Sequence, residues 1–320
     1  MRHRPLPAAA SAAALVLAAS ACGGGGDDGG GPRTIAVGAI PIVDLAPLHL
    51  AVDQGFFADR GIEVEIRSMS GGAQAVPGVA GGDLDFAFGN VTSLLVARDA
   101  GLPVKVVANG ATTTGEQGND VSAVVVPEGS PIESAEDLEG ATVAVNNLEN
   151  IGDTTVRNSV RKAGGDPAEV GFTELPFPDM PAALEKEEVD AAWMAEPFLT
   201  TSLQAGATEI ASNFVDAHPE LTMATYFTSE RLLAEDPELA ADFTAAMEEG
   251  LAYAEDNPDE VRRILGEYTE IDPAVIEDIR LPSFPTEMNR ESIRTIADLM
   301  EEDGLVDEAP DVDALFADAG

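Results

Sequence analysis

Between Asp137 and Phe198, apolar β-branched runs alternate with loops and helix-spaced segments, and this alternation restricts the possible folds more than any other feature. Thr142–Val145 is a short strand run. Asn146, Asn147, Asn150 and Gly152 make a turn-rich loop, with Asp153 a candidate N-cap. Val156 and Val160 recur at helical spacing, and Gly164-Gly165 is a helix stop. Val170–Leu175 reads as the next strand, Pro181–Glu187 as a short helix, and Ala191–Met194 as a third strand running into Glu196-Pro197. Strands alternating with helices predict a parallel sheet whose loops gather at the strands' C-terminal ends. Asn146–Asn150, Pro176–Asp179 and Glu196-Pro197 then share one rim, where open α/β sheets bind ligands.

The first part of the chain repeats this architecture. Strands are expected at Thr34–Ile40, Ile62–Arg67, Asp83–Phe88 and Val104–Ala108. Helices are expected over Ala46–Phe57, from about Ala73, and after Gly89–Thr92. Ala111–Asp120 is polar and reads as a crossing into Val121–Val126, the strand that opens the second half. Leu221–Thr228 reads as a strand returning to the first half. From Ser229 onwards the pattern is helical: Leu239, Phe243, Met247, Leu251 and Ala254 follow Asp236-Pro237, and Pro258–Tyr268 and Ser292–Met300 are further helices.

Five pieces, PLHLAVDQGFFADRGIEVE, GGDLDFAFGN, DLEGATVAV, PFPDMPAAL and VDAAWMAEPF, stand in this order over most of residues 34–200. In that order and spacing the chain resembles the substrate-binding proteins of ABC importers of the nitrate/sulfonate/taurine type, a group that includes binders of pyrimidine precursors. The likeness fades after about Thr225. It implies a two-lobed α/β fold of the type II periplasmic-binding-protein kind, each lobe a mainly parallel sheet flanked by helices, with a ligand cleft between. Lobe 1 would comprise residues 34–120 plus 226–320, and lobe 2 residues 121–225. The implied function is capture of a small organic solute by lobe closure and delivery to a membrane permease with its ATPase subunit, by a monomer without a cofactor. A ligand-sensing receptor is an alternative. A pyrimidine-precursor synthase-like enzyme is another, but the enzymes of that type use a Cys-rich motif and a cofactor-bearing Lys or His, and Cys22 is the only Cys here.

The chain has 320 residues, enough for two domains. Lys+Arg number 17 against 58 Asp+Glu, and the net charge of −41 argues against binding nucleic acid or anionic lipid through a basic patch. A solvated acidic surface and a high-salt habitat both fit it. Arg2 and Arg4 precede an apolar run, Ala8–Ala21, too short to span a bilayer. Ala19-Ser20-Ala21-Cys22 and the Gly-rich stretch behind it resemble a bacterial lipoprotein signal. In that reading residues 1–21 are removed, Cys22 carries lipid, residues 22–33 are a flexible linker, and the protein is held extracytoplasmically on the cell membrane. Ala19 stands where Leu is usual, and an ordinary secretory signal cut near Ala21 is the alternative.

The candidate ligand-binding residues are Asp44, Gly72, Asn90, Val91, Thr92, Asn147, Leu148, Asn150, Glu196 and Pro197. Most lie at helix starts, whose free N–H groups bind anions or polar oxygens. For Asp44, Asn90, Thr92, Asn147 and Asn150, simple helix capping is the competing reading. Glu196 either contacts the solute or caps the next helix and fixes the hinge. Arg98 and Lys105 fall outside the strand-end positions, and Asp44 would oppose an anion at its helix. This favours a neutral heterocycle, or one with amine donors, over sulfonate or nitrate. Trp193 reads as core packing rather than a stacking platform, and His49 as a structural residue. His3 falls in the signal, and His49 and His218 are far apart, so no metal site is expected. No catalytic residue is expected either, since GxSxG and HExxH patterns are missing from the sequence.

Overall fold

The computed structural model describes residues 31–316. The expectations for residues 1–21, for Cys22 and for most of the linker lie outside the described residues. Ten strands form two five-stranded sheets. The first contains β1 (Arg33–Ala39), β2 (Ile62–Ser68), β3 (Phe86–Asn90), β4 (Val104–Thr112) and, much later in the chain, β10 (Thr222–Ser229). The second contains β5 (Ser122–Val126), β6 (Thr142–Val145), β7 (Gly171–Glu174), β8 (Ala191–Ala195) and β9 (Thr208–Ala211). Their orders are β2-β1-β3-β10-β4 and β7-β6-β8-β5-β9. In each sheet the fourth position holds one strand antiparallel to both neighbours. That strand is the one delivered by a crossing from the other sheet. The remaining four in each sheet run the same way, so each lobe is mainly parallel.

The inner strands are largely buried because helices cover both faces, whereas the edge strand β2 alternates and stays partly exposed. β5 and β8 are buried at every position. On the first sheet lie α1 (Ala46–Asp53), α2 (Gly72–Gly81) and α3 (Val91–Asp99), and on the second α4 (Ile151–Ala163), α5 (Met180–Glu185), α6 (Phe198–Gln204) and α7 (Asn213–Ala217). The C-terminal helices are α8 (Glu230–Glu235), α9 (Pro237–Asp256), α10 (Pro258–Tyr268), α11 (Pro273–Asp278) and α12 (Arg290–Glu302). The stripe Leu239, Phe243, Met247, Leu251 and Ala254 buries α9 against α1 and β4. Phe243 stacks on Phe86 at 3.8 Å and meets Phe57 and Tyr226 at its edges. Burying such a ring contributes about 1.5–3 kcal/mol. α12 packs on α3 and β10 of the first lobe and also on α4 of the second, and α11 reaches α6. The C-terminal segment therefore ties the lobes together.

Several boundaries differ from the sequence reading. α1 stops at Asp53 rather than Phe57. β3 starts at Phe86, three residues later than expected, because Asp85 is spent on a turn. There the Ala36 N–H donates to Asp85 Oδ2 at 2.8 Å, and the Asp85 N–H to Ala36 O at 2.9 Å. β4 runs to Thr112, because β10 pairs with it as far as Thr222. Asp153 is not the N-cap of α4. Asn150 is, and Asp153 completes a capping box from the first turn, its carboxylate accepting the Asn150 and Glu149 N–H groups, each at 2.6 Å. Gly164 ends α4 in the left-handed conformation, φ 103°.

Candidate functional site

Both sheets send residues to one cleft. The segment after β1 supplies Ile40, Ile42 and Asp44, and β3 supplies Phe88 and Asn90. From the other sheet come Asn146 just past β6, and Trp193 and Ala195 on β8. These side chains, with Phe177 and Phe214, enclose an inner chamber of ≈ 40 Å³. A wider vestibule of ≈ 280 Å³ adjoins it and shares Ile40, Ile42 and Phe177 with it. The vestibule adds Pro41, Met69, Pro176 and Phe198 and is lined mainly by apolar groups. An inner volume this small holds little more than one or two waters. Any larger occupant requires Phe177 to swing or the lobes to part.

The polar atoms in the inner chamber follow from local structure. Asn90 caps α3: its Oδ1 accepts the Ser93 N–H at 2.9 Å, which leaves its Nδ2 donors to the chamber. Asn146 donates from Nδ2 to Ser70 O at 3.3 Å across the cleft, and its Oδ1 finds no partner among the described residues. Asp44 sits in the 3-10 turn Val43–Leu45, 7% exposed, and its Oδ1 also finds no partner there. Burial pushes the Asp44 carboxyl up from 3.8 to about 7; its own backbone N–H opposes the rise, and the nearby Asp120 adds to it. None of the residues lining the inner chamber is Lys, Arg or His.

The remaining candidates are placed around this chamber rather than in its wall. Asn150 caps α4 with Oδ1, and its Nδ2 donates to Ser93 Oγ at 3.1 Å, joining the starts of α3 and α4 across the cleft. Asn147 is buried with its Oδ1 unpartnered among the described residues, and a Cβ on Gly71 would strike that oxygen at 2.0 Å. Gly72 serves close packing: a Cβ there would lie 2.9 Å from Gly89 Cα and 3.0 Å from Ser93 Oγ. Val91 and Thr92 are buried in the first turn of α3, and Thr92 Oγ1 is unpartnered among the described residues. Leu148 is 46% exposed and turned to solvent, with its N–H donating to Glu174.

Glu196 is fully buried where β8 runs into α6. Its Oε2 accepts the Thr200 N–H at 3.1 Å, and Oε1 accepts the Thr200 hydroxyl at 2.7 Å and the Arg280 N–H at 3.2 Å. Its own carbonyl accepts the Val43 N–H at 3.2 Å, from the turn that carries Asp44. Pro197 is the N-cap of α6 rather than its first residue. These bonds tie Glu196 to the first turn of α6 and to the segment that follows α11. Burial raises its carboxyl from 4.5 to about 7, against the lowering effect of Thr200 and Arg280. Arg280 extends this network, donating to Asp120 O at 3.1 Å and to Glu209 Oε2 at 2.7 Å.

Sequence reasoning put Asn146 and Phe177 on the ligand rim without making them candidates and read Trp193 as core, so the chamber roles of these three, and of Phe88 and Phe214, went unassigned. Trp193 does pack in the core, edge-on to Phe177 at 5.3 Å and Phe214 at 5.7 Å, with its indole N–H donating to Ser122 Oγ. One face of that cluster is nevertheless the chamber wall. The available signal was the loop after β6: Asn146 stands immediately behind the strand, one position closer to the cleft than Asn147.

Against known proteins, the sequence profile described as NMT1/THI5 like matches residues 43–261. The chain belongs to the NMT1/THI5-like family. Among its relatives is the riboflavin-binding protein RibY of Chloroflexus aurantiacus, 28% identical over 231 residues, 71% of this chain and 63% of that protein. The match thus spans less than two thirds of RibY's length. The formylaminopyrimidine-binding protein of Halalkalibacterium halodurans is 23% identical over 221 residues, covering 68% of this chain and 64% of that one. The alkanesulfonate-binding protein SsuA from Xanthomonas axonopodis pv. citri, solved with MOPS bound, superposes with a TM-score of 0.76 at 17% identity, over 90% of this chain and 99% of that one. These relatives are solute-binding proteins, and the fold shared with SsuA is that of the periplasmic binding proteins.

Proposed function

We propose that this protein is the extracytoplasmic solute-binding component of an ABC importer and that its solute is a small planar nitrogen heterocycle. The observation that carries this reading is the wall of the inner chamber. Phe88, Phe177, Trp193 and Phe214 give it apolar aromatic sides drawn from both lobes, and Asp44, Asn90 and Asn146 add its polar groups. Those groups offer acceptors at Asp44 and Asn146 and donors at Asn90, which suits a ring with alternating N–H and ring-nitrogen groups. Affinity in such sites comes from enclosing the ring and from a few placed polar groups. A sulfonate or nitrate would meet a carboxylate and no cation, inside a protein of net charge −41. The relatives named for riboflavin and formylaminopyrimidine agree with a heterocycle; the shared fold with SsuA says nothing of the solute.

A solute touching both lobes favours the closed arrangement, and that shape is what a permease would receive. In this reading Cys22 carries the lipid that holds the protein at the membrane, and no covalent chemistry is involved. The test is calorimetric titration with formylaminopyrimidine, riboflavin, a short alkanesulfonate and nitrate. Saturable binding of at least one heterocycle, with neither anion binding, is expected. Tight binding of either anion with both rings silent would overturn the heterocycle reading.

A further inference from the structure

Asp44 is the one carboxylate in the inner chamber wall, and it is more than nine-tenths buried with Oδ1 unpartnered among the described residues. The Arg280 guanidinium, which reaches Asp120 O, is paired with Glu209, and Glu196, whose carbonyl meets the Val43 N–H, is another acid, so no free cation faces Asp44 among the described residues. Asp120, from the crossing before β5, is itself buried and acidic. Tyr226 on β10, buried, and Tyr268 on α10, half-buried, are phenols held neutral by desolvation, with Asp44 adding to the effect. The Tyr268 hydroxyl is spent on Ile42 O at 2.9 Å, and that of Tyr226 has no partner among the described residues. His49 on α1 stacks on Tyr268 at 3.8 Å, and burial drives its imidazole down to about 4, so it too is neutral at physiological pH. A buried carboxylate in such surroundings must either keep a proton or be met by a cation from outside.

We propose that Asp44 selects the charge of the solute: the chamber prefers a ring bearing a protonated nitrogen and rejects the same ring bearing a carboxylate. This rests on the solute-binding reading above. The exchange balances simply. The cationic nitrogen takes the place of the proton on Asp44, the N–H donates to Oδ1, and the displaced proton leaves to solvent. Burial holds the carboxyl near 7, so at pH 8.5 it is already ionised and the cation binds without that cost. At pH 6.5 most of the chambers still carry the proton, and binding a cation must expel it.

The test uses three 4-aminopyrimidines that differ at ring position 5, carrying aminomethyl, hydroxymethyl or carboxylate groups. Each is titrated into wild type and Asp44→Asn at pH 6.5 and 8.5. For wild type at pH 8.5 the aminomethyl ring should bind at least about tenfold tighter than the hydroxymethyl ring, and the carboxylate ring roughly a hundredfold weaker or not at all. The aminomethyl ring should lose severalfold in affinity at pH 6.5 while releasing a proton, read from the dependence of heat on buffer. In Asp44→Asn the three affinities should converge and the proton release vanish. Equal binding of all three rings by wild type, or a preference for the anionic ring, overturns the proposal and leaves the heterocycle reading standing. Binding of none of the three, with formylaminopyrimidine and riboflavin also silent, overturns both. If Asp44→Asn fails to fold, the wild-type ranking at the two pH values still decides.

Discussion

Asp44 and Glu196 make an instructive pair. Both are buried acids on loops leaving a strand's C-terminal end, both are pushed to about 7 by burial, and their loops touch through the Val43 N–H and the Glu196 carbonyl. Yet the oxygens of Glu196 accept three hydrogen bonds within the protein, and Asp44 Oδ1 accepts none among the described residues. A shifted ionisation alone does not distinguish architecture from function. The state of each oxygen does: a satisfied buried carboxyl holds two segments together, and one left open toward a cavity is available to a ligand.

The sharpest way to break this contrast is to measure stability after removing each acid. Glu196→Ala leaves the Thr200 N–H, the Thr200 hydroxyl and the Arg280 N–H without their acceptor. The expected loss is about 2–4 kcal/mol in urea unfolding. Asp44→Asn removes no partnered oxygen from Oδ1 and should lose nothing at pH 8. The pH dependence sharpens the comparison. Each folded-state value lies above its ordinary one, 3.8 for Asp44 and 4.5 for Glu196, so each acid's stabilising contribution is complete below about pH 4 and lost as pH rises through about 7. Wild type should therefore be less stable at pH 8 than at pH 5, and Asp44→Asn should shrink that difference. A large loss in Asp44→Asn with none in Glu196→Ala would reverse the two assignments.

A smaller effect is expected where one residue serves both purposes. Asn150 caps α4 and also donates to Ser93 across the cleft. Losing a cap of this kind costs about 1 kcal/mol. Asn150→Ala should show that loss in unfolding and less than a tenfold loss of heterocycle affinity, because Asn150 does not line the chamber. An affinity change larger than the stability change would move Asn150 from frame to wall.

Much of the frame was legible because it is written in periodicity. The alternation after Asp137 and the stripe on α9 both report burial, and the burial pattern places β6, β8 and Phe243 where that reasoning puts them. Rim residues were legible as positions, since strand ends precede helix starts. Their roles were not, because capping and ligand contact use the same residue types at the same sites. Asn90 and Asn150 read alike in sequence, and only the structure puts one in the chamber wall and the other beside it. The chamber roles of Phe177 and Trp193 went unassigned for a different reason. Phe177 stands in a 3-10 turn on the rim and Trp193 on the buried strand β8, and residue type gives no sign of which ring face packs on protein and which faces a cavity.

Leu148 gives the least expected effect and the cleanest test of how far the cleft extends. The sequence puts it between Asn147 and Asn150, in the middle of the loop after β6, so a position-based argument includes it in the site. The structure turns its side chain to solvent, 46% exposed, while its backbone N–H is held by Glu174 Oε2 at 3.2 Å. That bond uses only the main chain of Leu148 and survives any change of its side chain that keeps the loop's course. Surface substitutions of this sort lie within about 0.5 kcal/mol of neutral. Leu148→Ser should therefore leave both the unfolding midpoint and heterocycle affinity unchanged, where a residue in the chamber wall would show in affinity first. An affinity loss of tenfold or more, with stability intact, would mean that lobe closure carries Leu148 onto the solute and that the binding surface reaches past Asn146 along the loop.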